Sequence, residues 1–525
     1  MSPRAALSIV LALAVLALLP AGAGATGFKY GVTAGDVTSS SAILWGKATG
    51  KGRVFLQVST SKRFRRGHFK TYRVKTRKAD DYTLQRKVRR LKAGKRYWFR
   101  FVSGRHKSPK GIFKTAPKRG RSTTIRFGWT GDTDFSVAPG QSKPYWNSGG
   151  VFRRLKAEKN AFNVMLGDSI YSDSEVPGRL FPIALTVKQK WAKYKTNLGN
   201  RFLRALRGSA GYYSQWDDHE FVNDFSPQEN SFDNGVNING HTLYKRSLHA
   251  FRDYAPVSYT GRNGLYRSFR WGKNLEVFFL DERTFRSANA DANHICDNPQ
   301  THKPDLAPTA PQSTRNVFGA AYPSTGLSQP VSPACLANIR SSSRTFLGSH
   351  QYSVFTKAVK RSTARWKVIM NELPIQQYYA LPYDRWEGFE AQRQQLLKYL
   401  RDNVKNVVFL TTDVHATLVN DARLQTLESG GPVNSGIFDF TVGPAATQNF
   451  AGEIDTATGS PGSGKLIGSA FFKPAPPAGV GMRCAIVDQF SYGEVTVRRN
   501  SLSITPKGID GKPQSECPPL TLTHK

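Results

Sequence analysis

The chain has 525 residues, 39% of them hydrophobic and 21% charged, which excludes a long disordered chain and allows a large core spread over more than one domain. Its formal charge of +38 is uneven, because residues 28–121 hold 28 Lys and Arg against Asp36, Asp80 and Asp81, a local balance of +25. So basic a module is suited to polyanions, either anionic cell-envelope polymers or nucleic acid, through an attraction that salt weakens.

Residues 1–25 carry Arg4, an apolar run from Ala5 to Leu19 and Ala23-Gly24-Ala25 before Thr26, the pattern of a secretory signal peptide. The run is shorter than the roughly 20 residues that span a bilayer, and none comparable follows, so a secreted or envelope-associated protein is expected. Cys296, Cys335, Cys484 and Cys517 lie in no metal-finger spacing and read as two disulfides. Three connectivities are open. The sequence-neighbour choice pairs Cys296 with Cys335 and Cys484 with Cys517.

Residues 28–117 show short alternating segments, Ser41 to Trp45, Val54 to Val58, Thr71 to Val74 and Tyr97 to Val102, separated by Gly, Lys and Ser clusters. This spacing predicts an all-β sandwich, and the turn feeding an aromatic strand at Leu91 to Phe99 resembles a fibronectin type III domain. Ala116 to Arg121 reads as a linker.

Across residues 122–510 apolar runs of four to six residues alternate with helical stretches, and the runs end in acidic residues. Ile125 to Trp129 precedes Gly131-Asp132-Thr133-Asp134, Val164 to Leu166 precedes Gly167-Asp168, Tyr212 to Trp216 precedes Asp217-Asp218-His219-Glu220, Leu275 to Leu280 precedes Asp281-Glu282-Arg283, and Val407 to Leu410 precedes Asp413-Val414-His415. Helices are predicted at Val151 to Lys159, Leu185 to Leu206 and Phe389 to Arg401, giving an α/β domain. Residues 287–345 and 451–480 read as long loops, of the kind that cover active sites or are mobile. Within the second, Gly459 to Leu466 nearly matches a phosphate-binding loop but has Leu466 where magnesium needs Ser or Thr, and no strand leads into it.

Carboxylates gathered at one sheet edge repel one another unless cations neutralise them. A multinuclear metal site is therefore expected. Oxygen donors suit calcium, magnesium or manganese, whereas imidazole and phenolate admit iron or zinc. Two metals about 4 Å apart can clamp the oxygens of an in-line displacement at phosphorus.

The ordered motifs Asp-x-Asp, Gly-Asp-x-x-Tyr, Trp-Asp-Asp-His-Glu and Asp-x-His resemble those of the calcineurin-like metallophosphoesterases, and in particular the PhoD-type alkaline phosphatases. Gly31 to Ser39, Leu44-Trp45, Ser108 to Pro117, Leu280 to Arg286, Trp366 to Asn371 and Arg385 to Phe389 extend the resemblance over almost the whole mature chain. It implies a four-layer α/β/β/α domain after the sandwich, with Asp132, Asp134, Asp168, Tyr171, Asp218, Asn223, Asp413 and His415 as metal ligands. Asp168 would bridge two metals and Tyr171 would bind ferric iron. His219 would contact or protonate the phosphoryl group. Arg283 would clamp phosphate or serve as an ion-pair partner in the scaffold, as would Arg385, while Asp217 would orient its neighbours and Glu220 would support the ligands. Where the family has a cysteine this chain has Asp132, so iron with calcium is the family's expectation and manganese or zinc are alternatives. The implied function is hydrolysis of phosphate mono- or diesters outside the cytoplasm. The rival is a non-catalytic polyanion-binding protein carrying a degenerate phosphoesterase domain.

Overall fold

The computed structural model describes residues 24–178, 183–233 and 236–524; the expected signal peptide lies almost wholly outside them. Among the described residues no helix is long and apolar enough to cross a membrane.

Two large sheets organise the mixed α/β fold. In the nine-stranded sheet, Ile125–Thr130, Phe162–Leu166 and Gly211–Gln215 are adjacent and parallel. In the seven-stranded sheet, Leu275–Phe279, Trp366–Met370 and Val407–Thr411 are likewise adjacent and parallel. Side chains alternate across each strand. Phe162, Val164 and Leu166 join the core shared by the two sheets, while Met165 joins the core beneath Gly150–Ala157, Val187–Asn197, Arg201–Arg207 and Gly240–Tyr254. Trp366, Val368 and Met370 face the shared core, and Ile369 faces a third core with Phe355 and Leu396 from Ser349–Arg361 and Glu390–Asn403.

The N-terminal β module is not detached. Val54–Ser59, Phe69–Val74, Arg96–Ser103, His106–Lys107 and Gly111–Lys114 make a separate five-stranded sheet. Its companion strands Phe28–Gly35, Ser41–Ala48 and Thr83–Arg89 instead continue the nine-stranded sheet, through a parallel contact of Ala34 with Gly211. Gly46 lies so close to Phe101 that a Cβ there would approach the ring to 2.7 Å, which fixes the spacing between the two layers.

Several sequence expectations need correction. The helix expected over Leu185 to Leu206 is broken, because the Asn200 side chain accepts from the amides of Phe202 and Leu203 and starts a new helix at Arg201; such capping satisfies amides that a helix start leaves free. Residues 451–480 are largely helical, with Phe450–Thr458 capped by Asn449 and Ser463–Leu466 following. Gln312–Ala321 and Pro333–Ile339 likewise give the 287–345 insertion helical structure. Both disulfides form, Cys296 with Cys335 and Cys484 with Cys517.

Candidate active site

The carboxyl ends of the six parallel strands meet at one rim. Trp129 Nε1 donates across the sheets to the carbonyl of Thr411 at 3.1 Å, Thr412 Oγ1 donates to the carbonyl of Leu166, and Gln215 donates to that of Leu280. Just beyond the strands Asp132, Asp168, Asp413 and His415 adopt left-handed backbone, with φ of 59°, 46°, 69° and 54°. Few non-glycine residues do so, and the strain is tolerated where surrounding contacts impose it. The turns send these side chains back over the sheet edge. Close approach also selects glycine at Gly443, where a Cβ would meet Asp132 Oδ2 at 2.4 Å.

The donors form a connected series. Asp132, Asp168 and His415 offer ligand atoms within 4.8 Å of one another, and so do Asp168, Asp218 and His219, then Asp217, Asp218 and Asp413, then Asp218, Asp224 and Asp384. Asp168 belongs to two of these groups and Asp218 to three. Tyr171 joins them through its hydroxyl, 2.8 Å from His415 Nε2, and its ring stacks on His219 with centroids 3.9 Å apart. Burial pushes the carboxyl of Asp132 up to about 7 and that of Asp413 up to about 8, the latter reinforced by Asp218. Burial also raises Asp168, with Asp218 and Asp217 adding to it. Asp132 Oδ2 and Asp217 Oδ2 are buried without a hydrogen-bond partner. Orphaned oxygens and mutually repelling carboxylates fit metal ions, whose charge would satisfy both.

Residues around the donors hold them in place. Glu220 Oε1 accepts from the Ser169 amide at 2.7 Å and its hydroxyl at 2.6 Å, while Oε2 accepts from the amides of Asp217 at 2.8 Å and Asp168 at 3.2 Å. One carboxylate thereby joins two ligand-bearing turns. Lys190 reaches the same turns from its helix, donating to Ser172 Oγ at 2.7 Å and to the carbonyls of Glu220 and Phe221. His219 Nδ1 lies 2.6 Å from Asp173 Oδ1, and both residues are buried. Burial opposes charge on the imidazole, but Asp173, Asp218 and Asp168 outweigh it and hold His219 well above its ordinary value. His415 is held up at about 10 against burial, chiefly by Glu453, whose carboxylate contacts Nδ1.

Three expected residues are not brought into the series. Asp134 spends its carboxylate on the Ser136 amide and the Ser174 hydroxyl. Asn223 has an exposed side chain, and its backbone amide, not its side chain, serves the site by donating to Asp173 Oδ2 at 2.6 Å. Arg283 is fully buried, paired with Asp217 at 2.6 Å and Asp384 at 2.7 Å. It is therefore a scaffold cation and not an accessible phosphate clamp. Arg385 is less buried, but its Nη2 donates to the Ala380 carbonyl and lies 3.7 Å from Glu387, its Nε is buried without a partner, and its charge opposes the rise of the Asp413 pKa that burial and Asp218 cause.

Sequence reasoning missed Asp173, Asp224, Asp384 and Glu453. Asp173 lies two residues beyond Tyr171 of the Gly-Asp-x-x-Tyr motif, and Asp384 directly precedes Arg385, so each lies beside a residue the sequence had marked. Glu453 had no such signal, since its segment read as a loop.

The profile of the PhoD-like phosphatase family matches residues 135–495, and that of the PhoD-like phosphatase N-terminal domain matches residues 14–117. The chain belongs to the PhoD-like phosphatase family. Alkaline phosphatase D of Bacillus subtilis (strain 168) is 24% identical over 446 residues, covering 76% of this chain and 66% of the relative. The solved structure of PhoD aligns with a TM-score of 0.69 at 19% identity, covering 96% of this chain and 90% of that one. A purple acid phosphatase from yellow lupin (Lupinus luteus) seeds aligns with a TM-score of 0.56 at 10% identity, covering 95% of this chain and 74% of that one. At such identities the two structures establish the fold this family member shares with them.

Proposed function

We propose that this PhoD-like phosphatase is an exported, metal-dependent hydrolase of phosphate mono- or diesters. The observation that carries the reading is the series of donor groups joined through Asp168 and Asp218 beside a buried Asp173–His219 pair. Asp132, Asp168, Tyr171 and His415 would hold one ion, and Asp168, Asp218 and Asp413 another. Bound metal ions would polarise phosphoryl oxygens and lower the pKa of the attacking water. Asp132 in place of a thiolate favours harder ions such as calcium or manganese, while the Tyr171 phenolate favours ferric iron.

His219 keeps Nδ1 on Asp173 and sits in the group it forms with Asp168 and Asp218. Charged by its carboxylate neighbours, it is suited to protonate the departing alcohol oxygen. Arg385 brings its charge to the donor cluster beside Asp413. The separation of the cores supports reading the catalytic part as four layers, α/β/β/α, and the two-layer N-terminal module as fibronectin-like. The +25 balance of residues 28–121 supports retention on anionic polymers, which raised salt would weaken. Assay of the purified protein with a chromogenic monoester and diester, before and after chelation, tests the central reading. Hydrolysis lost to chelator and restored by metal is expected. Absence of turnover with every ester and metal would favour the polyanion-binding alternative.

A further inference from the structure

A hollow of about 640 Å³ lies where the N-terminal β module meets the helices Gly150–Ala157 and Arg201–Arg207. Lys29 and Lys110 line it from the module, and Lys156, Arg201 and Arg204 line it from the two helices. No acidic side chain among the described residues is part of its wall. Lys29, Lys110, Lys156 and Arg201 make no ion pair among those residues, while Arg204 spends Nη1 on the carbonyls of Leu198 and Gly199, both at 2.6 Å. Unpaired cations in one hollow repel one another, and its low-dielectric walls concentrate their field on an anion that enters.

One wall of the hollow is locally strained. Tyr30 and Gly31 leave the ladder between Phe28–Gly35 and Ser41–Ala48 as a bulge, both in left-handed backbone with φ of 71° and 76°. Such backbone is uncommon for an aromatic residue and persists where surrounding contacts impose it, and bulges recur beside functional sites. Gly31 lies against the stem of Arg204, where a Cβ would be 3.4 Å from Arg204 Cβ. The rings here carry cations: Lys29 Nζ stands 5.1 Å from the centre of the Tyr30 ring, and the Arg201 guanidinium 4.7 Å from that of the neighbouring Phe202. The hollow thus offers charge more than a platform for stacking bases. It is also remote from the metal cluster. Phe28–Gly35 runs parallel to Gly211–Gln215 with Ala34 opposite Gly211, so Lys29 lies beyond the amino ends of the parallel strands and the donor cluster beyond their carboxyl ends. At roughly 3.3 Å per residue the two are about 30 Å apart along the strands.

We infer that this hollow binds a linear chain of phosphate groups, through the phosphates alone, as a site separate from the metal cluster. The inference rests on the polyanion reading of the basic charge and gives that reading a place. Three of the five cations, Lys156, Arg201 and Arg204, belong to the catalytic part, so the N-terminal module by itself holds an incomplete site. A flexible chain can set successive phosphates against all five cations, which a single phosphate ion cannot do.

The test is the fluorescence anisotropy of two end-labelled probes, inorganic polyphosphate and an oligothymidylate with the same number of phosphates. They are titrated with the full chain carrying Asp168→Ala, so that the metal cluster cleaves neither. Lys29→Ala, Lys156→Ala and Arg201→Ala combined are compared with Lys70→Ala, Arg73→Ala and Lys87→Ala combined, which remove three exposed cations from other strands of the module. Each phosphate neutralised on a flexible chain contributes about 0.7 to the slope of log K against log salt. The first variant should therefore lose about two units of slope with both probes, and roughly 10- to 100-fold in affinity at about 0.1 M salt. The second removes the same charge and should change affinity by less than about three-fold, because its cations touch no bound phosphate. Lys110→Glu alone, in a loop, should weaken both probes more than Lys70→Glu, which decides the matter if the combined variant does not fold. Equal losses in the two combined variants overturn the site and leave only diffuse attraction by the basic surface. No binding of either probe overturns the polyanion reading as well. Oligothymidylate held far more tightly than an abasic chain of equal length overturns recognition through phosphate alone.

Discussion

Asp173→Asn changes one atom of the site and separates its acid chemistry from its metal binding. Asp173 belongs to none of the donor groups, yet its Oδ1 lies 2.6 Å from His219 Nδ1 within a buried pair. A hydrogen bond to a charged group contributes about 1.5–3 kcal/mol, and about 1.4 kcal/mol corresponds to one pH unit. The substitution should therefore lower the His219 pKa by about one to two pH units. The sign follows from the charge: the Asp173 carboxylate favours imidazolium, so without it the proton leaves at lower pH. A reaction that needs protonated His219 proceeds below that pKa, and the alkaline limb of the kcat profile moves acidward. Turnover at the former optimum should fall with the fraction of imidazolium, by at most about 10- to 100-fold for a shift of that size. The assay is a kcat–pH profile with metal content measured on the same preparation. An unmoved alkaline limb with full metal content would refute the role of Asp173, and metal loss in step with activity would make the pair a structural support of the ligands.

His219→Ala is expected to lower turnover with little change in metal content, whereas Asp168→Ala should remove both; equal metal loss in the two would make His219 a ligand. Arg385→Ala should raise KM with the fold intact. Arg283→Met breaks a buried ion pair and should destabilise the protein by about 3–5 kcal/mol, read as a lower denaturant midpoint; unchanged stability would contradict its scaffold role. Metal-stripped protein should be more stable at pH 5.5 than at pH 9. Asp132 and Asp413 have folded pKa values raised to about 7 and about 8, so their contribution is fully present below their unfolded values near 4 and is lost as pH rises through 7 to 8. Each group changes stability by about 1.4 kcal/mol per pH unit within its window, and added metal should abolish the loss.

Much of the site was legible because parallel strands leave a strong local trace. Short apolar runs ending in Asp132, Asp168 and Asp218 lie on adjacent strands of one sheet, and the run ending in Asp413 lies in the second sheet, whose strand ends meet the first at one rim. Periodicity could report the strands but not their neighbours, so the joining of Phe28–Gly35 to Gly211–Gln215 was hidden in the separation between them. Arg283 shows a second limit. A motif reveals a guanidinium near acids but not its accessibility, and only the packing of Asp217 and Asp384 around it decides between scaffold and clamp. Glu453 was invisible for a third reason: its short helix depends on the Asn449 cap and on packing of Phe450 and Ala451 more than on apolar periodicity.

The most direct test of the central claim is the metal content and visible spectrum of protein purified without added metal, taken with its activity and compared with Asp168→Ala. The account predicts at least two metal ions per chain, lost with activity in the variant. If one of the ions is ferric, a visible charge-transfer band should disappear in Tyr171→Phe. Wild-type protein that hydrolyses phosphate esters while carrying no metal would contradict it.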